Sequence, residues 1–293
     1  MVSAEAARGS VAVKLKTFFE LIKFEHTVFA LPFAYLGMLM AARTRPGLAV
    51  FIWVTLAMAA ARTAGMTLNR IVDLRIDEKN PRTKNRPLLT GAFSLKAAWA
   101  AVAAALGIFF LSAFMLNPLC LKLSPLAFIL LAGYHYVKRF HFSCHFALGL
   151  VLAIAQVGGW IAVTGAFSWV PVPLALAVLF WVAGFDIIYS LQDYDFDRAW
   201  GLHSVPVRFG QTKALRISEV CHIATVVFLV VFGAAAGLGI LYWLGVTATA
   251  VLLKLEHTLI SENDLSRIHA AFFTINGWIG ILLLIFTFLE TYR

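Results

Sequence analysis

Charge is what this chain has least of. Asp, Glu, Lys and Arg make up 13% of its 293 residues, against about 25% in an average soluble domain. That shortage argues against a soluble globular module of this length. Cysteine is also scarce, and Cys120, Cys144 and Cys221 show no paired spacing. A disulfide framework and a Cys-based metal site are therefore not expected. No segment alternates apolar with polar residues over strand lengths, which speaks against a membrane β-barrel. The first sixteen residues are small and polar, without the order of a signal peptide. They are expected to form a mobile cytoplasmic tail on a single domain that spans 1–293.

What the chain has in abundance is apolar length: 61% of its residues are hydrophobic and its mean hydropathy is +0.85. A helix needs about 20 apolar residues to cross the hydrocarbon core. Stretches of that kind run over 17–42, 47–69, 94–115, 118–137, 146–166, 170–192, 214–236, 238–254 and 269–290. The expectation is an all-α integral membrane protein, with nine transmembrane helices arranged as two four-helix halves plus one around a central cavity. The net charge of +9 would suit nucleic acid, but the placement of the charges points to topology instead. With the N-terminus cytoplasmic, only Arg43, Arg45, Lys122 and Arg293 of the 24 Lys and Arg fall on the far side. Such a bias sets orientation, so no nucleic-acid partner is expected.

Against this background two acidic patterns stand out. The first is Asn69-x3-Asp73-x3-Asp77, and the second contains Asp186, Asp193 and Asp197. Steps of four and seven return to one helical face, so each set forms a stripe; Asp195 lies off it. The stripes end the second and sixth apolar stretches, corresponding positions in an internal repeat. Carboxylates are costly near a bilayer unless partnered, which makes each one a functional candidate. Two rows of hard oxygen ligands suit Mg²⁺, which takes one or two carboxylates and completes its shell with substrate phosphate oxygens. Asp73 and Asp77 would hold one ion, and Asp193 and Asp197 another.

The chemistry such a site supports is the departure of diphosphate from an allylic carbon, helped by cations that meet the developing charge. Arg82 and Arg86 follow the first stripe and are placed to grip phosphate oxygens, as are Lys138 and Arg139 at another cytoplasmic helix end. Asn69 adds a neutral ligand or a donor to phosphate. Arg62 lies inside the second stretch, seven residues before Asn69, and points to an anion such as an aromatic carboxylate. Lys23, with Glu25 and His26, lies near the cytoplasmic end of the first stretch. Asp186 is deeper than the other acids, suited to act as a base or to orient Tyr189 or an arginine. Tyr189 itself could hydrogen-bond the acceptor.

The residues Asn69-x3-Asp73-x3-Asp77, Asn80-Pro81-Arg82-Thr83-x-Asn85-Arg86-Pro87-Leu88, Tyr134-x3-Lys138-Arg139 and Asp186-x2-Tyr189-x3-Asp193-x3-Asp197-x3-Gly201 resemble the UbiA superfamily of intramembrane aromatic prenyltransferases. The resemblance covers nearly the whole chain. It implies a nine-helix fold, Mg²⁺ dependence, a polyprenyl diphosphate donor and C-prenylation of an aromatic ring in quinone biosynthesis. Lys23-Phe24-Glu25-His26-Thr27 and the run Phe185–Asp193 resemble the bacterial branch that acts on 4-hydroxybenzoate. Close relatives there use 1,4-dihydroxy-6-naphthoate, on the futalosine route to menaquinone. Both acceptors are hydroxy-aryl carboxylic acids. The resemblance also implies the bacterial inner membrane as location. Arg86-Pro87-Leu88-Leu89-Thr90-Gly91 departs slightly from many relatives.

Other readings weigh less. A cation-coupled transporter would carry its acids at the midplane, whereas these cluster at one face among arginines. A CDP-alcohol phosphotransferase would need a D-G…A-R run, which is absent. His141 and His145 have a metal-binding spacing but no third ligand, and an interfacial placement is expected. Gly158-Gly159-Trp160 is expected to be a close helix-packing point.

Overall fold

In hydrocarbon, each backbone N–H must find its partner within its own segment, and a continuous apolar run therefore folds as a helix. The computed structural model describes residues 16–22, 27–42, 45–262 and 264–293, with 27–30 described by their backbone alone. Its helices are α1 (Thr27–Ala42), α2 (Leu48–Val72), α3 (Leu74–Lys79), α4 (Leu95–Leu116), α5 (Pro118–Val137), α6 (Cys144–Thr164), α7 (Val172–Ser190), α8 (Tyr194–Ala199), α9 (Val205–Phe209), α10 (Gln211–Ala236), α11 (Ile240–Leu259) and α12 (Asn276–Thr291). A 3₁₀ turn, Leu191–Asp193, joins α7 to α8, and a π-helix, Ala270–Ile275, leads into α12. The expected mobile tail and Lys23, Glu25 and His26 lie outside the described residues, apart from Lys16.

Among the described residues, seven helices are long and apolar enough to cross a membrane. The chain is thus a multi-pass membrane protein, but the expected count of nine is not reached by this measure. Two elements account for the difference. Helix α1 is described over only 16 residues, and α11 carries Lys254 and Glu256 in its last turns, which lowers its hydropathy.

The packing follows the expected repeat. Helix α2 lies along α4, and α7 lies along α10 in the same way. The opening helices of the two halves, α1 and α6, pack against each other, and α12 closes the ring between α11 and α1. Glycine makes the α1–α6 contact possible. A Cβ on Gly37 would sit 2.0 Å from the carbonyl oxygen of Gln156, and one on Gly159 would sit 2.4 Å from that of Ala34. The expected packing point is therefore real at Gly159, while Gly158 faces open space. Such backbone approach is how membrane helices associate when lipid offers no hydrophobic drive.

Helix ends are fastened by side chains. Ser94 Oγ accepts the Ala97 N–H at the start of α4, and Asn117 Oδ1 accepts the Cys120 N–H at the start of α5. Asn117 also donates to the Ile161 carbonyl at 2.8 Å, which ties α5 to the far end of α6. Alternation of the spans then brings the C-terminal ends of α2, α5, α7 and α11 to one face of the bundle, with the starts of α4, α6 and α10.

Candidate active site

Both acidic patterns lie on that face, and both break at the same place. Helix α2 stops at Val72, Asp73 takes φ −89° and ψ 6°, and α3 begins at Leu74. In the second half, Asp193 takes φ −102° and ψ 5° between the 3₁₀ turn and α8. These are bridge-region conformations, where active-site residues are often found. The expectation of two unbroken helical stripes is corrected accordingly: each stripe is hinged at its middle acid. The physical reason is that the chain leaves the bundle there, and a straight helix would carry Asp77 and Asp197 away from the site. The hinge is tight, with the Asp77 N–H still donating to the Asp73 carbonyl at 2.8 Å.

Each acid but one of the four is held by a cation. Asp73 is buried and receives Lys138 Nζ at 2.7 Å, Arg139 Nη2 at 3.1 Å and Asn69 Nδ2 at 3.2 Å. Asp77, also buried, receives Arg86. Burial pushes the Asp77 carboxyl above its ordinary range, against the opposing pull of Arg86. Asp193 is gripped by the Arg82 fork, with Nε to Oδ1 at 2.9 Å and Nη2 to Oδ2 at 2.5 Å, and by Asn80 Nδ2 at 2.9 Å. Burial draws the Arg82 guanidinium down, but the bonds from Asp193 outweigh it and hold it above its usual value. Asp197 has no ion pair among the described residues.

The Arg82–Asp193 contact is the join between the halves. Arg82 and Asn80 belong to the segment after the first stripe, and Asp193 to the second. Arg82 also lies 5.5 Å from the centre of the Tyr189 ring and donates to its hydroxyl at 3.4 Å. Around the two rows, Arg82, Arg86, Lys138 and Arg139 each hold an acid, and Arg82 crosses from one row's segment to the other. From Tyr189 an aromatic series runs inward through Phe272 (4.2 Å between centroids), Phe185 (5.2 Å), Trp181 (5.0 Å) and Phe33 (4.7 Å).

Deeper in the site, Tyr134 lies within electrostatic reach of Arg62, Asp186 and Asp73. Arg62 Nε is buried and has no hydrogen-bond partner, so the alternative of a structural pair with Asp73 is not what the structure contains. Among the described residues no hydrogen bond or ion pair joins Asp186 to Tyr189 or to an arginine. It bonds His145, Nδ1 to Oδ2 at 2.7 Å.

Sequence reasoning missed several participants. Asn80 fixes the Arg82 segment by accepting the Arg82 N–H with its side-chain oxygen. His135 Nδ1 accepts from Asn69 Nδ2 at 3.3 Å, and its ring packs on Tyr134. Arg70 is buried beside Asn69, donating to Asn69 Oδ1 at 3.4 Å. His145 was read as interfacial yet is buried, while His141 stays exposed with Ser143. For Asn80, His135 and Arg70 the available signal is position, since each lies in or beside a named motif, whereas His145 is six residues beyond Arg139 on a helix that carries no motif residue.

Hard oxygen donors dominate this set. Among the described residues no group of three or more His, Cys, Asp or Glu could cage a metal alone. The four carboxylates are hard oxygen ligands of the type that suits an ion such as Mg²⁺, whose shell a phosphate-bearing substrate would complete.

Residues 30–278 match the model of the UbiA prenyltransferase family. A 4-hydroxybenzoate octaprenyltransferase of Nitrosospira multiformis is 30% identical over 247 residues, covering 83% of each chain. One of Paraburkholderia phytofirmans is 32% identical over 246 residues, covering 81% of each. In three dimensions the chain superposes on the apo structure of a UbiA homologue from Aeropyrum pernix K1 with a TM-score of 0.84 and 40% identity, covering 91% of this chain and 98% of that one. A homologue from Archaeoglobus fulgidus bound to GPP and Mg²⁺ shares the fold at a TM-score of 0.72 and 20% identity, covering 94% and 99%. With paired acidic rows, the cations that grip them and this ancestry together, the chain belongs to the UbiA prenyltransferase family and is an aromatic prenyltransferase.

Proposed function

We propose that this enzyme transfers a polyprenyl group from polyprenyl diphosphate to a ring carbon of a hydroxy-aryl carboxylic acid of the 4-hydroxybenzoate type, with Mg²⁺, at the cytoplasmic face of the bacterial inner membrane. The observation that carries the reading is the Arg82–Asp193 fork, because it brings two acidic rows and their cations to one point. The names of the bacterial relatives support the acceptor class, and the GPP and Mg²⁺ held by the Archaeoglobus homologue support donor and metal. The one-sided distribution of Lys and Arg supports the cytoplasmic placement.

In this reading Asp73, Asp77, Asp193 and Asp197 hold Mg²⁺, which when bound neutralises charge on the diphosphate. Arg82, Arg86, Lys138 and Arg139 exchange carboxylate for phosphate oxygens as the donor enters. Asn69 keeps Asp73 in place and offers its amide to phosphate. Breaking the allylic C–O bond leaves its electron pair on the diphosphate, and the cations stabilise that charge. The prenyl tail lies along the aromatic series that starts at Tyr189, which excludes water from the allylic cation. Arg62, whose buried Nε has no hydrogen-bond partner among the described residues, receives the carboxylate of the aromatic acid. Lys23, outside the described residues, remains proposed for the same substrates.

The test is incubation of the purified protein in detergent with Mg²⁺, octaprenyl diphosphate and either 4-hydroxybenzoate or 1,4-dihydroxy-6-naphthoate, with product mass and diphosphate release as readouts. Prenylated benzoate with one diphosphate per product supports the reading. Product from the naphthoate alone reassigns the acceptor, and transport without diphosphate release overturns the reaction.

A further inference from the structure

The geometry around Asp186 points to His145 as a positioning residue that makes Asp186 the acceptor of the proton leaving the aromatic ring. The inference rests on the proposed reaction. Asp186 lies seven residues before Asp193, about 10 Å deeper along the helix, and outside both metal-binding pairs. Tyr134 lies within electrostatic reach of both Asp186 and Arg62, the residue at which the aromatic acid's carboxylate is placed.

The hydrogen-bond directions around His145 leave a single arrangement. The Val205 N–H donates to His145 Nε2 at 3.2 Å, so Nε2 presents a lone pair. The ring proton then resides on Nδ1 and is donated to Asp186 Oδ2 at 2.7 Å. That contact occupies Oδ2 and sets the carboxylate plane. Oδ1 has no hydrogen bond among the described residues, and the Asp186 side chain retains 26% of its exposure while His145 retains 3%. One oxygen is tied back into protein, and the other is left without a hydrogen bond on a side chain that stays partly accessible.

The backbone that fixes the tautomer is itself anchored. Val205 opens α9, which Ser204 Oγ caps by accepting the Val207 N–H at 3.4 Å. Two residues earlier, the His203 N–H donates to the Lys138 carbonyl at 2.7 Å. Lys138 is the residue whose ammonium grips Asp73. The segment that orients the base is thus fastened to the segment that binds the diphosphate.

In the step itself, the ring carbon ortho to the hydroxyl forms the new C–C bond with the allylic carbon. The ring C–H bond then breaks, its electron pair restores aromaticity, and the proton passes to Asp186 Oδ1. It leaves to solvent as the products depart.

The experiment compares wild type, His145→Ala, His145→Asn and Asp186→Asn with ordinary and ring-deuterated 4-hydroxybenzoate, at saturating Mg²⁺. Asn keeps a donor near the position of Nδ1. For His145→Ala, kcat is expected to fall about 100-fold, with KM for the diphosphate little changed. A deuterium isotope effect on kcat, larger than in wild type, is expected to appear because proton removal has become slow. His145→Asn recovers most of kcat, and adding His145→Ala to Asp186→Asn causes no further loss. If both His145 variants turn over like wild type, or lose activity with an unchanged isotope effect, the inference fails. If Ala does not fold, the isotope effect in Asn and Asp186→Asn decides in the same terms. A wild type inactive on the benzoate counts against the proposed reaction and takes the inference with it, whereas an active wild type with an indifferent His145 overturns the inference alone.

Discussion

Arg82 does two things whose magnitudes differ enough to be told apart. Its fork holds Asp193 in the structure, and in the proposed reaction it meets phosphate oxygens as the C–O bond breaks. The first role is modest: the Arg82 side chain is 34% exposed and Asp193 16%, so solvent screens the pair and its loss costs about 1 kcal/mol of stability. Its place over the Tyr189 ring adds about 0.5–1 kcal/mol. The second role is larger, since removing one donor aimed at transition-state charge costs roughly 10²–10³ in kcat. Arg82→Ala is therefore expected to lose turnover by about two orders of magnitude while losing no more than ~2 kcal/mol of stability. Arg82→Lys keeps the charge but not the two parallel bonds, and is expected to fall between the two. The assay is prenyl transfer with varied diphosphate, paired with thermal unfolding in the same detergent, and a double-mutant cycle with Asp193→Asn. Coupling of about 1 kcal/mol is expected in stability. An Arg82→Ala enzyme with wild-type kcat/KM for the diphosphate would refute the phosphate role, and zero coupling with Asp193 would refute the join between the rows.

The other expectations are narrower. Asp73→Asn keeps an acceptor for Lys138 and Arg139, which are each near 30% exposed, so it should fold with near-wild-type melting yet give no product by mass. Chelating divalent cations should stop turnover and added Mg²⁺ should restore it, followed by diphosphate release; turnover that persists in chelator would remove the metal assignment. Arg62→Met should raise KM for the aromatic acid about tenfold or more, the loss of a hydrogen bond to a charged group, with KM for the diphosphate unchanged. Gly159→Ala should destabilise the α1–α6 contact by about 1–3 kcal/mol, while Gly158→Ala, with open space around it, should melt like wild type.

Charge is legible in a chain like this because it is rare. Asp73, Asp77, Asp193 and Asp197, and the cations Arg82, Arg86, Lys138 and Arg139, stand out against apolar surroundings, and the structure brings them to one face. Gly159 was legible for a related reason, since a small pair inside an apolar helix has few roles but close packing. The hinges at Asp73 and Asp193 were not legible. Neither is preceded by proline or glycine, and helical spacing continues on both sides, so local pattern favours an unbroken helix. Asn80 and His145 were hidden by distance. Asn80 meets Asp193 across 113 positions and His145 meets Asp186 across 41, so nothing near either residue announces its partner. Neutral hydrogen-bonding side chains gain a role only from tertiary contacts, whereas a carboxylate in lipid demands an explanation wherever it stands.

That demand also accounts for the state of the site. A row of carboxylates with no cations would repel itself at a low-dielectric membrane face, and a row of arginines with no acids would do the same. The chain sets one against the other: Asp73 with Lys138 and Arg139, Asp77 with Arg86, Asp193 with Arg82. In the proposed reaction, entry of a diphosphate with its metal ions would be an exchange of partners, in which the basic side chains would move to phosphate and the acids to metal. The pairing in the structure gives Asp73, Asp77 and Asp193 a cation each, and an unpaired buried charge is where the steep penalties lie. Among the described residues Asp197 pairs with no cation and Arg62 Nε has no hydrogen-bond partner, so in the proposed reaction these two positions gain a counter-charge when the substrates arrive. In that proposed reaction binding is coupled to completion of the site: the donor and its metal would complete the acidic rows, and the aromatic acid would satisfy Arg62. An enzyme built this way gains little from holding an allylic cation before its acceptor is present, because the pocket that quenches the cation is itself short of a charge until then.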